Sequence, residues 1–481
     1  MLTLLLKTAV TGRRWAVAAA LCAAAVPAAA GAQHPAIPAG PRALTLEDAL
    51  SLARRHNPSV AQSANEVRLA GMSVRSAYGE LLPSLSLSNS FGYVAPGERR
   101  IGSVSLGEQP SIYSSNYGVS ASYSFGMGKL AQPRIARAEA REAERRSAGS
   151  TAALATDVTR RYIAVLQAQA RVRQAEREIV RSDEHMRQGQ AQAAAGLTSP
   201  LDRKRAQVQR SQVEVRRLQA VRTLRTEVVA LGRVLGVTVD PEVELTSRFT
   251  VFEPRWLGDE LVEAAMRNNP ALSAATGSVE TARARVSAAR AAYLPTFSLS
   301  VNMTGWIQSA GDLEMLVEQR LGGRTVTPEV EAEVRERVRR ENQGFPFAYN
   351  RQPLSASATV SLPVFQGFGR GTQVERSRAA VEDAEGRRRA EQLRVYAEVT
   401  AALANLRSGY ELARAQANVR ELAAEELELA RQRLRLGAAH EMPVIEAQTR
   451  LAQAELDEID AVYSFHQTLA DLETLVGSSL R

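Results

Sequence analysis

The sequence has almost no cysteine: Cys22 is the only one in 481 residues. It lies in an N-terminal apolar segment that follows basic residues and ends in Ala30-Gly31-Ala32, which is typical of a secretory signal with its cleavage site. We therefore predict a signal peptide over residues 1–32 and a mature chain without disulfides or thiolate metal sites. Attachment of a lipid to Cys22 is the alternative, but Leu21 is larger than the residue expected before a lipidated cysteine.

Aromatic residues are also scarce, at 5%, and no apolar run after the signal reaches the roughly 18 residues of a transmembrane helix. The five histidines, His34, His56, His185, His440 and His466, are scattered without the spacing of a metal site. Since a nucleophilic cysteine is missing too, the sequence indicates no enzyme, cofactor or metal site. The net charge of +8 comes from interspersed arginine and glutamate, which favours solvated helix faces over nucleic-acid binding.

What the sequence does contain is a duplication of roughly half its length. Asn57-Pro58 recurs as Asn269-Pro270, and residues 82–88 recur at the same separation as residues 294–300. The repeated unit is far longer than the units of solenoid proteins, so it is one large structure present twice. We predict a first repeat over residues 33–240, a linker over 241–258 and a second repeat over 259–481.

Each repeat contains two segments in which apolar residues alternate with small polar ones, a pattern that predicts strands with one apolar face. The expected strands cover about residues 84–93, 117–126, 297–306 and 354–363. Their length is close to the roughly 9–11 residues of a tilted transmembrane strand, and aromatics such as Tyr117 and Trp306 near their ends suit a membrane interface. Four strands cannot close a barrel, so membrane strands would require further copies of the chain.

Long helical hairpins follow the strands, over residues 133–236 in the first repeat and 372–477 in the second. Both stretches are rich in Ala, Arg and Glu and have few internal Pro or Gly residues, which predicts helices far longer than those of compact domains. Each hairpin bends near Gly196 or Gly437, and its narrow apolar stripe is typical of a coiled coil that packs against neighbours.

The mature chain, from Leu44 to Gly477, resembles the TolC-like outer membrane efflux proteins. The resemblance is carried by the repeated Asn-Pro helix start, the Leu-Pro-x-Leu/Phe-Ser-Leu-Ser strand start, and the helix–Gly–helix tips followed by Ala-Gln. It implies an α+β membrane protein in which three chains each give four strands to a twelve-stranded barrel, and in which the hairpins form a periplasmic tunnel. It also implies an exit duct in the outer membrane that works with a periplasmic adaptor and an inner-membrane pump.

The same resemblance assigns functional positions to the helix tips. In the family, acidic residues just past the tips line the periplasmic entrance, and Asp202 and Glu446 match these positions. Three symmetry-related carboxylates in a narrow opening would favour cations, whereas an ordinary solvated helix face is the alternative for each residue. The tip turns expected to contact the adaptor contain Gly196, Leu197, Thr198, Ser199, Gly437, Ala438, Ala439 and His440.

Several alternatives stay open at the level of sequence. An exported coiled-coil scaffold without channel activity would explain the helices but not the duplicated strands. Within the duct class, small-molecule efflux, type I protein secretion and metal export remain alternatives, because cargo would be chosen mainly by the pump. The insert over residues 307–352 joins two strands at the end away from the helices, so we expect a surface loop outside the cell. A plug or lid over the channel mouth is the alternative.

Overall fold

The computed structural model describes residues 43–194, 200–247, 249–322, 324, 326–436 and 441–480. The predicted signal peptide over residues 1–32 lies outside this part of the chain. The helices are α1 (Leu46–His56), α2 (Pro58–Gly79), α3 (Met127–Ala194), α4 (Pro200–Leu235), α5 (Gly258–Asn268), α6 (Pro270–Ala291), α7 (Leu313–Leu321), α8 (Pro328–Asn342), α9 (Gly369–Arg435) and α10 (Met442–Val476). The strands are β1 (Ala43–Leu44), β2 (Ser84–Val94), β3 (Gly97–Ile101), β4 (Val104–Gln109), β5 (Ile112–Gly126), β6 (Glu244–Leu245), β7 (Thr296–Ala310), β8 (Asn350–Arg351) and β9 (Ser355–Ser361).

The four long strands form one antiparallel sheet in the order β2, β5, β7, β9. The register aligns Leu85, Ala121, Val301 and Ala356 in one row, so the apolar residues of all four strands share a face. The other face carries rows of hydroxyls that bond across strands, such as Ser86 Oγ to Ser120 Oγ at 2.6 Å, Ser84 Oγ to Ser122 Oγ at 2.7 Å and Ser300 Oγ to Ser357 Oγ at 2.7 Å. The alternation of apolar and small polar residues in the sequence therefore gives the sheet one apolar face and one hydroxyl-rich face.

Three details of the sheet differ from expectation. The fourth strand is shorter than residues 354–363, because Pro353 and Pro363 lack the amide hydrogens that a strand ladder needs and lie on either side of β9. The second strand is longer, since β5 already begins at Ile112. The interface position expected for Trp306 is wrong: it pairs with Asn116, which places it on the polar face.

The insert is also different from the expected surface loop. The first part of the predicted insert continues β7 to Ala310, and the helices α7 and α8 follow. Val317 of α7 and Val338 of α8 are buried, and an Arg320–Glu341 ion pair links the two helices. The insert is therefore a small folded unit.

The long helices lie side by side. Nearer the tips, α3 packs against α4 and α10, and α10 packs against α9, so α4 and α9 are the two flanks there. Nearer the sheet, α6 packs between α3 and α9, and α2 packs on α3. α3 begins at Met127, earlier than the predicted start at residue 133, and contains Pro133 within its second turn. Within the described ranges, none of the helices is both long and apolar enough to cross a bilayer.

The repeated Asn-Pro motif ties the start of each repeat to its end. Asn57 caps α2 by accepting from Ser59 N at 2.8 Å, and its Nδ2 donates to the carbonyl oxygen of Val234 at the end of α4. Asn269 does the same for α6, and its Nδ2 donates to Leu475 O at 3.0 Å. At the start of α1, Thr45 and Asp48 form a capping box.

Each repeat has its own hydrophobic core. In the first, Leu44 and Tyr162 are buried where α1 packs against α3 and α4. In the second, Leu469 is buried where α5 packs against α9 and α10. Phe249 packs against the first core and Phe252 against the second, so the chain passes from one repeat to the other between these two residues.

Candidate periplasmic gate

The helix tips contain most of the residues that the sequence singled out. The turn residues Gly196, Leu197, Thr198, Ser199, Gly437, Ala438, Ala439 and His440 lie outside the described residues. Asp202 lies in the first turn of α4, where its backbone alone is described. Their assignment to the gate and to adaptor contact therefore stays a prediction.

Glu446 lies in the first turns of α10, near the tip. Its side chain is 54% exposed and pairs with Arg450 Nη2 at 3.2 Å, and Arg450 also pairs with Glu426 of α9. The three residues form an exposed chain of alternating charge across the α9–α10 seam. Exposed pairs contribute only about 0–1 kcal/mol each, so this chain affects local charge more than stability. Arg450 offsets part of the negative charge that Glu446 would bring to the entrance.

Further from the tip, a ladder of charged groups joins the two repeats along the α3–α10 seam. Arg160 pairs with Asp471 at 2.6 Å, Arg171 with Asp460 at 2.6 Å and Arg181 with Glu455 at 2.6 Å. Gln174 Nε2 also donates to Glu455 Oε2 at 3.2 Å. The sequence alone did not predict this ladder. Each arginine lies in a charged stretch typical of a solvated helix face, and its partner is in the other repeat.

The ladder shifts the ionisation of its most buried member. Burial alone would raise the pKa of Glu455, but hydrogen bonds and charge from Arg181 outweigh it and hold the pKa of the carboxyl below its ordinary 4.5. Glu455 is thus ionised throughout the neutral range and binds Arg181 as a carboxylate.

A stripe of buried polar side chains continues along α3 towards the tip. Gln174, Glu178, Ser182 and His185 follow one another at spacings of four, four and three residues, and all are buried. Burial, and then the charge of Arg431 on α9, hold the pKa of His185 below its ordinary 6.5. The helical spacing of these residues is the signal by which the sequence could have revealed the stripe.

The flanking helices carry apolar side chains on their outer faces. On α4 the exposed residues Leu201, Val208 and Val215 recur every seven positions. On α9 two such rows are exposed, Leu412 with Val419, and Leu422 with Leu429, and exposed Leu436 continues the second row directly after the helix ends. Seven-residue spacing of apolar side chains is the pattern of coiled-coil contacts, so both flanks are suited to a neighbouring helix.

The sheet and hairpins define a class of protein. A sheet with one apolar and one hydroxyl-rich face, joined to a helix of 68 residues, is the architecture of a membrane-strand protein with a long helical extension. The model of the outer membrane efflux protein family matches residues 49–237 and 261–478, so the chain belongs to this family. It is therefore a channel protein of the outer membrane with a periplasmic extension, and not an enzyme. Among the described residues, no three His, Cys, Asp or Glu side chains converge as metal ligands would.

Individual relatives support the assignment to this family. Protein CyaE of Bordetella pertussis is 27% identical over 375 residues, which cover 76% of this chain and 69% of that protein. The CmeC outer membrane channel of Campylobacter jejuni has a TM-score of 0.69 at 14% identity, covering 90% of this chain and 85% of that one. The open state of the MtrE outer membrane channel of Neisseria gonorrhoeae has a TM-score of 0.69 at 17% identity, covering 91% and 89%. These likenesses confirm the expected fold class.

Proposed function

We propose that the protein is the outer-membrane exit duct of a tripartite efflux or type I secretion system. In this proposal a homotrimer conducts substrates passively from periplasm to exterior when it is docked to a periplasmic adaptor and an inner-membrane pump. The proposal rests on the observation that a single chain leaves sides of both its sheet and its helical part uncovered. Among the described residues, the edge strands β2 and β9 each lack a neighbour on one side, and the flanking helices α4 and α9 expose apolar rows.

The two flanks lie at matching heights, as a closed ring of copies would require. Three ion pairs connect the helices in turn: Arg216–Glu178 joins α4 to α3, Arg181–Glu455 joins α3 to α10, and Arg450–Glu426 joins α10 to α9. Because successive pairs link neighbouring helices at similar levels, Val215 on α4 and Leu422 on α9 lie at about the same distance from the tips. Both are exposed, at 52% and 64%.

The flanks also differ in charge along part of their length, although α9 as a whole carries thirteen Arg against eleven Asp or Glu. α4 carries nine Arg or Lys residues against three Asp or Glu, a net charge of +6. Residues 411–428 of α9 carry five Glu against two Arg, a net charge of −3. The acidic stretch of α9 thus favours α4 of one copy beside α9 of the next, whereas the positive charge of α4 disfavours α4 beside α4.

Cysteine pairs test this contact directly, since the mature chain is expected to contain no cysteine of its own. In the doubly substituted Val215→Cys, Leu422→Cys protein, oxidation should link chains into covalent trimers. The matched control is Val215→Cys with Leu436→Cys, whose second position is about two heptads nearer the tip and should link poorly. Equal linking of both proteins, or links that stop at dimers, would contradict the proposed trimer.

Conduction is tested separately from assembly. Purified from outer membranes, the protein should run as a heat-sensitive trimer and give discrete single-channel currents in planar bilayers. An exported scaffold would instead fractionate as a soluble elongated dimer without currents. Adaptor docking would be probed with a photo-crosslinking amino acid at Leu197 or Ala439, and with Val330 of the insert as the control. Links to the adaptor from Val330 alone would contradict docking at the tips.

A further inference from the structure

The insert between β7 and β9 returns to the sheet through a short aromatic segment, residues 345–349. The rings of this segment pack on rings of the strands: Phe345 lies 6.1 Å from Tyr113, Phe347 lies 6.5 Å from Phe91, and Tyr349 lies 4.7 Å from Tyr117, measured between ring centroids. Three aromatics of the insert thus meet three aromatics of β2 and β5.

Tyr349 anchors this contact by hydrogen bonds. Asn89 Nδ2 donates to the Tyr349 hydroxyl at 3.0 Å, and Ser115 Oγ lies 3.1 Å from the same oxygen. Ser115 is completely buried, and Ile307, its pairing partner on β7, is buried too. Gly305 leaves the space that the Tyr117 ring fills, because a Cβ at that position would overlap the ring. The insert is therefore fitted to this part of the sheet.

The face that the insert covers is the apolar one. In the register, Asn89 pairs with Tyr117 and Tyr117 with Gly305, all on the face that carries Leu85 and Leu87. Leu85 and Leu87 are each 76% exposed, as lipid-facing residues of a membrane strand are in an isolated chain. The hydroxyl rows lie on the opposite face, which suits a water-filled interior. The insert thus lies against the lipid-facing side and not inside the channel.

The aromatic contacts also lie at the height of a membrane boundary. About ten residues of β5 separate Phe125, at the helix end of the strand, from Ser115. At about 3.4 Å per residue and a tilt of about 40°, they span roughly 26 Å along the membrane normal. This is close to the roughly 25 Å apolar band of outer-membrane strands. At the helix end, Phe365 and Phe368 are strongly exposed, as expected of the other boundary.

We propose that the insert forms a lipid-facing collar around the outer rim of the sheet. In this collar, Phe347 and the free faces of Phe91 and Tyr93 contact outer-leaflet lipid at the boundary between acyl chains and headgroups. Phe347 is 67% exposed although its ring packs on Phe91, so most of it is available to lipid. The collar is continuous with the exposed leucines of β2, and aromatic side chains are favoured at this depth.

The charged part of the insert lies beyond the aromatic row. Asn342, the last residue of α8, accepts from the backbone N of Ala310 at 2.8 Å, and Ala310 is the outermost residue of β7. In the proposed collar, the exposed ion pairs of α8, such as Arg335 with Glu331, lie at the level of headgroups and water. This inference rests on the outer-membrane location and is independent of cargo and docking.

Depth-dependent fluorescence quenching tests the collar. In a Trp256→Phe, Trp306→Phe background, single tryptophans would be placed by Phe347→Trp, Leu87→Trp or Val330→Trp in full-length trimers. These would be reconstituted into phosphatidylcholine vesicles with or without brominated acyl chains. The collar predicts that Phe347→Trp is quenched by brominated lipid several-fold more than Val330→Trp on α8, and less by aqueous iodide.

The Leu87→Trp protein distinguishes a failure of the collar proposal from a failure of the membrane placement of the sheet. If Leu87→Trp is quenched by brominated lipid but Phe347→Trp responds only to iodide, the collar is wrong while the strands remain membrane strands. If neither is quenched by lipid, the membrane placement of the sheet fails as well.

The Tyr349→Phe variant removes the hydroxyl contacts with Asn89 and Ser115 but keeps the ring. It should weaken lipid quenching of Phe347→Trp, and unchanged quenching would show that Tyr349 does not anchor the collar.

Discussion

Arg181 and Glu455 form a doubly hydrogen-bonded ion pair, with Nη1 to Oε1 at 2.9 Å and Nη2 to Oε2 at 2.6 Å. The pair joins a helix of the first repeat to a helix of the second, and its side chains are only 22% and 11% exposed. Removing one partner would leave the other charge largely buried and unpaired. Since the pair is the most buried rung of the α3–α10 ladder, it should be the most sensitive to substitution.

Glu455→Gln should lower the stability of the folded chain by about 2 kcal/mol, because a neutral amide cannot compensate the buried Arg181 guanidinium. The thermal midpoint of helix loss, followed by circular dichroism in detergent, measures the change. Arg450→Gln is the matched control: its pair with Glu446 is exposed, at 55% and 54%, and should cost at most about 1 kcal/mol. Equal losses in the two variants would contradict a special role for the Arg181–Glu455 pair.

His185 should make stability depend on pH just below neutrality. Its pKa in the folded chain lies below the ordinary 6.5, because the ring is buried and then because Arg431 is near, so the unfolded chain binds the proton more readily. Stability should therefore fall as pH drops below 6.5 and level off below the folded pKa. His185→Leu should abolish this phase in thermal midpoints measured across the range, whereas exposed His56→Gln should retain it. An identical profile in His185→Leu would refute the assignment.

Glu455 should contribute a second, more acidic phase. Its folded pKa is depressed, so its stabilisation is present above the ordinary 4.5 and is lost as pH falls through the folded value. Glu455→Gln should remove this phase and leave the His185 phase intact. A profile in which both phases vanish together would mean that the two groups titrate as one unit.

Asn57 should stabilise the first repeat through two separate bonds. Asn57→Ala removes both the cap on Ser59 N and the bond to Val234 O, and should cost about 1–2 kcal/mol. Asn57→Ser keeps a capping oxygen but cannot reach Val234. If the bond to Val234 matters, chemical denaturation should find Asn57→Ser destabilised by about 1 kcal/mol. If Asn57→Ser were as stable as the natural protein, the bond to Val234 would contribute nothing, and Asn57 would act only as a helix cap.

Glu446 should influence ion selectivity if it faces the entrance. Glu446→Gln should lower the cation preference of single channels in planar bilayers, because a ring of negative charge is lost. Arg450→Gln should shift the preference the opposite way, because the cation paired with Glu446 is removed. Unchanged conductance and selectivity in both variants would place Glu446 on an ordinary solvated face.

Local patterns predicted the elements well where one physical cause dominates. Strand alternation, the Asn-Pro helix starts and the glycines that end the hairpins all depend on short-range chemistry. Gly236 and Gly477 indeed adopt φ of 75° and 73°, a conformation that favours glycine over other residues. The family also followed from such local motifs because they occur twice in the chain.

Features that depend on distant partners could not be read in this way. Arg181 and Glu455 are 274 positions apart, so no local pattern links them. The aromatic segment of the insert looked like part of a loop, because its partners lie on β2 and β5 more than two hundred residues earlier. The aromatic character of Trp306 alone favours an interface position, but its even position in the alternation puts it on the polar face.

The two Asn-to-carbonyl bonds, Asn57 to Val234 and Asn269 to Leu475, close each repeat on itself. Together with the two cores, they hold the first and last helices of each half of the chain, or module, against each other. A backbone break between Phe249 and Phe252 would therefore interrupt neither module. The protein should tolerate being produced as two polypeptides that recombine, and in the proposed trimer three copies of each would restore a ring of six modules.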